Sequence, residues 1–170
     1  MKGNKNAVNE IIIFSDYSCP YCKNFHKKTL PIIEDKFVNK NKARVIIVNV
    51  DILGDNSEIF ARVGNSLLVK YPQKFWEYFN SVYENQNDNN SKEINEKDIN
   101  GILSKVQIPE NKIKEIRDEY IDDQGEANRL LKRNDDAYKK YATPYVPAVY
   151  VNGHFIEDSY SVDEIESYLK

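Results

Sequence analysis

An apolar run that passes straight into a helix start across two cysteines constrains this chain more than any other stretch of its 170 residues. Residues 11–14, Ile-Ile-Ile-Phe, have the β-branched and aromatic character of a strand buried on both faces. Ser15-Asp16-Tyr17-Ser18 follows, then Cys19-Pro20-Tyr21-Cys22. Ser18 is expected to cap the helix, and Pro20 suits its first turn, where a backbone N–H would lack a partner anyway. Cys19 therefore stands at the positive end of a helix, where unpaired N–H groups and the macrodipole favour thiolate over thiol. This makes Cys19 the expected nucleophile and Cys22, one turn deeper, the resolving thiol.

The chain has 2 cysteines, and both lie in this stretch. A disulfide-stapled scaffold would spread its cysteines along the chain. A purely structural bridge is disfavoured as well, because so tight a loop restricts little of the unfolded ensemble. Structural zinc wants about four ligands, and beyond the cysteines only His26 and His154 are available to complete a mixed site. Dithiol–disulfide exchange, with no metal or other cofactor, is the chemistry that fits.

Residues 1–8 form a polar lead-in, with the first strand expected from Asn9 or Glu10. After Cys19, Phe25, Leu30, Ile33 and Phe37 keep helical spacing to about Asn39, with Pro31 expected to kink the helix. Residues 43–51 form a second apolar strand, so strand, helix and strand make a right-handed βαβ unit. Strand character then disappears. Helices are expected through Ile59, Val63, Ser66, Leu67 and Lys70, through Phe75, Tyr78, Phe79 and Val82 after Pro72, over 93–106, over 110–121 and over 126–141, with a polar loop at 84–91. Residues 148–151 and 154–156 read as a hairpin about Asn152-Gly153. A last helix over 162–169 opens on Ser161 with Glu164 in capping-box spacing.

Hydrophobic residues at 41% and charged residues at 30% are ordinary for a folded globular chain, and 12 tyrosines with 7 phenylalanines can fill a core. The net charge of −3 comes from interspersed Lys, Asp and Glu, which leaves no basic face for nucleic acid. No apolar run approaches the roughly 18 residues needed to span a membrane, and the first residues lack the apolar core of a signal peptide.

The wording Phe14-Ser-Asp-Tyr-Ser-Cys-Pro-Tyr-Cys22 resembles the active site of the thioredoxin superfamily, and of DsbA-type thiol oxidoreductases in particular. Tyr145-Val-Pro147-Ala-Val-Tyr-Val-Asn-Gly153 looks like the cis-proline loop of the same superfamily. The resemblance implies an α/β thioredoxin fold with a helical insertion between its βαβ and ββα halves, a single domain over 1–170 with the insertion at about 54–142. It implies a cis Val146-Pro147 peptide facing the cysteine turn, with Val146 offering its backbone to an extended substrate; Thr143-Pro144 is a less well placed candidate. The implied activity is disulfide exchange with cysteines of extended or unfolded polypeptides by a monomer outside the cytoplasm that a redox partner reoxidises. A reductase or isomerase, or a thioredoxin-fold binding protein without turnover, are the alternatives.

Two departures bear on mechanism. The strongest oxidants of this group carry histidine where this chain has Tyr21, so a less extreme oxidant is expected. Many thioredoxin-like proteins place a buried acid where this chain has Ile13; Asp16 is a substitute if it is not simply a turn residue. Lys23 and His26 either tune the site or lie on an exposed helix face. Trp76 and its aromatic neighbours are expected in the core of the insertion, and His154 beside the hairpin turn.

Overall fold

β1 (Asn9–Ser15) lies inside a sheet because its apolar residues are covered from both sides. It pairs in parallel with β2 (Ala43–Asn49), Ile12 opposite Ile46 and Ile13 opposite Ile47. On its other edge it runs antiparallel to β3 (Ala148–Val151), Ile13 opposite Val149, and β3 pairs in turn with β4 (His154–Ile156). The resulting four-stranded sheet has the order β2-β1-β3-β4. The structure is a computed structural model describing residues 1–86, 93–141 and 145–170. Most of the expected loop at 84–91, and Thr143-Pro144, lie outside these residues.

Between β1 and β2 the chain forms α1 (Pro20–Lys28), α2 (Leu30–Ile33) and a π-helical turn over Glu34–Val38 that ends at Asn39. Pro31 does not kink one continuous helix. The chain instead ends α1 at Lys28 and restarts at Leu30, so that Pro31 falls in a first turn, where its missing N–H costs little.

Five helices among the described residues separate the two halves of the sheet: α3 (Asp55–Lys70), α4 (Phe75–Asn85), α5 (Glu96–Lys105), α6 (Glu110–Ile121) and α7 (Glu126–Lys140). A short 3-10 turn, Pro72–Lys74, precedes α4. α5 starts later than its apolar pattern suggests because Asn95 caps it, accepting from the Lys97 and Asp98 amides while Asp98 reaches back to the Asn95 amide. Tyr17 is the bolt between sheet and helices. It is fully buried, its ring meets those of Phe60, Tyr78, Phe79 and Tyr83 at 5.5 to 6.1 Å, and its hydroxyl accepts from Asn49 Nδ2 at 3.0 Å. α7 is tied in by Asn134 Nδ2, which donates to Asn49 O at 2.9 Å.

The lead-in is more than a polar overhang. Lys2 pairs with Val45 on the outer edge of β2, and Trp76, half-buried rather than central to the insertion, donates to Met1 O at 3.2 Å with Lys2 Nζ 5.2 Å from its ring. The last helix, α8 (Val162–Ser167), has half of the expected capping box. Ser161 Oγ accepts from the Glu164 amide, whereas the Glu164 carboxylate turns away to the amides of Glu157 and Asp158. His154 stacks on Tyr168 beside the hairpin turn.

At that turn Asn152 and Gly153 have φ of 51° and 86°, the left-handed pair that a tight hairpin requires. Asn152 also accepts from the Glu10 amide at 3.0 Å and donates to Asn9 Oδ1 and Tyr168 O at 2.9 Å, joining the hairpin to β1 and to the C-terminus. Asn152→Ala loses these bonds and, with them, the polar side chain that lets asparagine tolerate a left-handed conformation better than alanine. We expect it to lower the free energy of unfolding by about 2–4 kcal/mol, and Asn152→Gly, which keeps the turn, by about half as much, in denaturant titrations.

Candidate active site

The end of β1 and the start of α1 are joined by a turn built on Asp16. Its carboxylate accepts from the Ser18 amide at 2.7 Å, and its carbonyl from the Cys19 amide at 3.1 Å. This turn moves the helix cap one residue on from the expected Ser18. Cys19, with φ −79° and ψ 119°, is the cap, Pro20 occupies the first helical position, and Cys19 Sγ accepts from the Cys22 amide at 3.4 Å. The helix presents no acidic side chain in its first turn and ends on His26, Lys27 and Lys28, a distribution that reinforces its dipole.

The two free thiols sit in opposite electrostatic settings. The Cys22 thiol donates to Cys19, and the amides of Cys22 and Tyr21 add to it, so the Cys19 thiol is brought down to about 7 against the opposing effects of burial and of Asp16. Burial pushes the Cys22 thiol well up, and its bond to Cys19 pushes the same way; contacts with Ser15 and the Asp16 amide, 3.5 Å from Cys22 Sγ, offset only part of this. Cys19 and Cys22 retain only 4% and 1% of their surface.

Across from Cys19 stands the loop entering β3. Val146 and Pro147 are both buried, the peptide bond between them is cis, and Cys19 Sγ donates to Val146 O at 3.6 Å. Pro20 and Tyr21 face outward, Tyr21 at 68% exposure, with Tyr21 O accepting from the Tyr160 hydroxyl at 2.8 Å. Ile13 is an interior sheet residue. Asp16 is fully buried, with its carboxylate taken up by the Ser18 amide, the Ser57 hydroxyl at 2.7 Å and the Leu53 amide at 3.1 Å. Burial still raises its pKa above the usual carboxylate range against these three donors.

His26 is not on an exposed face. Its ring stacks on Tyr83 and meets the edge of Phe79, each at 5.0 Å, which turns it toward α4. Lys23 likewise reaches back, donating to Gln86 O at 2.6 Å, and Gln86 Nε2 donates to Tyr17 O at 2.9 Å. Sequence reasoning passed over Ser15 and Tyr83, whose oxygens are 2.6 Å apart beside Cys22. The spacing of Phe75, Tyr78, Phe79 and Val82 marks a helix but not what its faces meet.

A thioredoxin family model matches residues 1–170, and the chain belongs to that family. Disulfide bond formation protein D of Bacillus subtilis is 27% identical over 169 residues, covering 99% of this chain and 74% of the relative. Among solved structures, oxidised BdbD from Bacillus subtilis superposes with a TM-score of 0.86 at 24% identity, over 98% of this chain and 88% of the other. A thiol-disulfide exchange protein from Wolbachia pipientis superposes with a TM-score of 0.80 at 16% identity, over 98% and 82%. These superpositions establish the thioredoxin-like α/β fold, with its helices set between βαβ and ββα halves, that the two sequence motifs imply.

Burial holds His26 near 4, well below its ordinary 6.5, with Lys2 and Lys27 pushing the same way. Its neutral form is therefore favoured by folding. The stability this contributes is complete above about pH 6.5 and is lost as pH falls through about 4, because the unfolded chain takes up the proton first. His26→Phe, which keeps the ring stack, is expected to flatten that part of the stability–pH curve, as read from unfolding midpoints across pH.

Proposed function

We propose that this chain is a thiol:disulfide oxidoreductase that exchanges its Cys19–Cys22 disulfide with cysteines of extended or unfolded polypeptides. The opposed acidities of two adjacent thiols are the observation that carries this reading. Cys19 is the nucleophile: it is largely thiolate slightly above neutrality and lies beside the edge of the β3 loop. Cys22 is the resolving thiol, kept protonated until it is needed. Val146 and Pro147 form the platform on which an extended substrate lies, Val146 presenting backbone groups in the manner of an added strand. Pro20 and Tyr21 tune the cysteine pair, Asp16 fixes the turn that carries Cys19, and His26 supports the inner wall. The relatives' names, which describe disulfide bond formation and thiol-disulfide exchange, support the same activity.

The exchange balances without metal or cofactor. A substrate thiolate attacks Cys19 Sγ, forming a mixed disulfide and breaking the Cys19–Cys22 bond, and a second substrate thiolate then displaces Cys19. Both cysteines end reduced and the substrate oxidised. A redox partner must remove the two electrons afterwards. We place the protein outside the cytoplasm, where such an oxidant has use, as a monomeric single domain over 1–170 with its insertion at about 54–142. No helix among the described residues is long and apolar enough to cross a membrane.

Oxidation of a dithiol peptide, set against reduction of insulin, tests the direction of exchange; turnover of neither substrate refutes the enzyme reading. Ultraviolet thiolate absorbance of the reduced protein should show a step near pH 7. Cys19→Ser should abolish that step, and Cys22→Ala should move it upward, since the largest contribution to Cys19 acidity is the bond from Cys22. Tyr21→His, which brings imidazole near the Cys19 sulfur, is expected to make the disulfide more oxidising by at least tenfold in a glutathione equilibrium, about 30 mV.

A further inference from the structure

When a thiolate opens the Cys19–Cys22 disulfide at Cys19, the electron pair of the broken bond leaves on Cys22 Sγ. That anion forms where water does not reach, since Cys22 is 1% exposed. The titratable groups facing it are Cys19 and Asp16 from the turn, Tyr83 from α4, Tyr138 from α7 and Tyr160 before α8. None carries positive charge, so the sulfur depends on hydrogen-bond donors. The Asp16 amide, at 3.5 Å, is one. The hydroxyl of Ser15 is the other, and it does not act alone: Ser15 Oγ is 2.6 Å from the Tyr83 hydroxyl, which lies 3.1 Å from Asp16 O.

We propose that Ser15 and Tyr83 form a reversible hydroxyl relay that reorients to stabilise the negative charge on the Cys22 sulfur during exchange. This rests on the disulfide-exchange reading above. With Cys22 as a thiol, its proton is directed to Cys19 and the hydroxyl bonds run outward, Ser15 donating to the Tyr83 oxygen and Tyr83 to Asp16 O. With Cys22 as a thiolate they run inward, Tyr83 donating to Ser15 and Ser15 to the sulfur. Two O–H bonds rotate and no heavy atom moves.

Tyr83 suits this part because its oxygen is fixed in place. Its ring is held by His26 at 5.0 Å, Phe79 at 5.1 Å and Tyr17 at 5.5 Å, and burial keeps its hydroxyl protonated, so it remains a donor. Ser15 touches the reacting sulfur. Tyr83 is a positioning residue that acts through Ser15.

Glutathione tests the relay without any protein substrate, by attacking the oxidised protein at Cys19 and by being expelled from the Cys19–glutathione adduct when Cys22 attacks. Ser15→Ala and Tyr83→Phe are each expected to slow opening at least about threefold, because a less stabilised thiolate leaves more slowly. The double variant should be no slower than Ser15→Ala alone, since one break disables the relay. Expulsion in these variants should slow as well, with its rate–pH profile shifted to higher pH. A change that merely loosened packing would admit water to Cys22 and speed both steps. Wild-type or faster opening in either folded variant, or losses that multiply in the double variant, overturns the relay. If one variant fails to fold by near-ultraviolet circular dichroism, the other decides. Normal opening by glutathione with no turnover of polypeptides would instead refute the function and leave the relay standing.

Discussion

The Cys22 amide points at the sulfur of Cys19, and the rest of the site depends on that contact holding. An N–H in the first turn of a helix has no carbonyl within the helix to accept from it, so a side chain at the cap receives it instead. Here the cap is a thiol, and the bond that would ordinarily begin a helix stabilises an anion. Cys22, one turn further in, gains none of this and meets a desolvated interior. Chemically identical side chains thereby acquire opposite acidities from the hydrogen bond between them, from the amides at the helix start and from burial.

Such geometry survives only if the turn before the helix cannot move, and Asp16 supplies that restraint. A buried carboxylate is expensive unless donors surround it. The donors it gathers come from its own turn, from the segment after β2 and from the first turn of α3. Its raised pKa shows that burial outweighs those bonds. A carboxylate occupied in this way acts as a clamp more than as a proton shuttle. That division of labour matches the hydroxyl pair at Ser15 and Tyr83, which faces Cys22 and needs no charge of its own.

What was legible in the sequence was local. The strand, the Cys-Pro-Tyr-Cys turn, the helix that follows and the Asn152-Gly153 hairpin are each written within a few residues, where backbone preferences decide the outcome. Even there, competition between neighbours was invisible: Asp16 takes the Ser18 amide and so passes the cap to Cys19, and Glu164 answers two loop amides instead of its own cap. Contacts across the fold were not legible at all. Periodicity gathers Phe75, Tyr78, Phe79 and Val82 into one helix, but the Tyr83 hydroxyl, 68 positions from Ser15, leaves no mark of the pairing in either local pattern. His26, placed by sequence either in a tuning role or on a solvated face, turns inward because α4 offers it two aromatic rings.

The helical insertion is thus a wall of the site and not a cover placed over a finished one. α4 alone contributes the Tyr83 oxygen, the rings against His26 and, just beyond its end, the Gln86 groups that hold Lys23 and Tyr17. Tyr17 in turn lies within the loop that carries both cysteines, its ring enclosed by the same helices. The dryness that raises the Cys22 thiol and the donors that relieve it therefore come from one packed unit. Any motion that lifts α4 would admit water to Cys22 and remove its hydroxyl donors together, two changes with opposite effects on a thiolate. Their partial cancellation means that acidity alone would report such a motion poorly. The exchange rate in each direction, which depends on where the donors stand as well as on how dry the sulfur is, would register it.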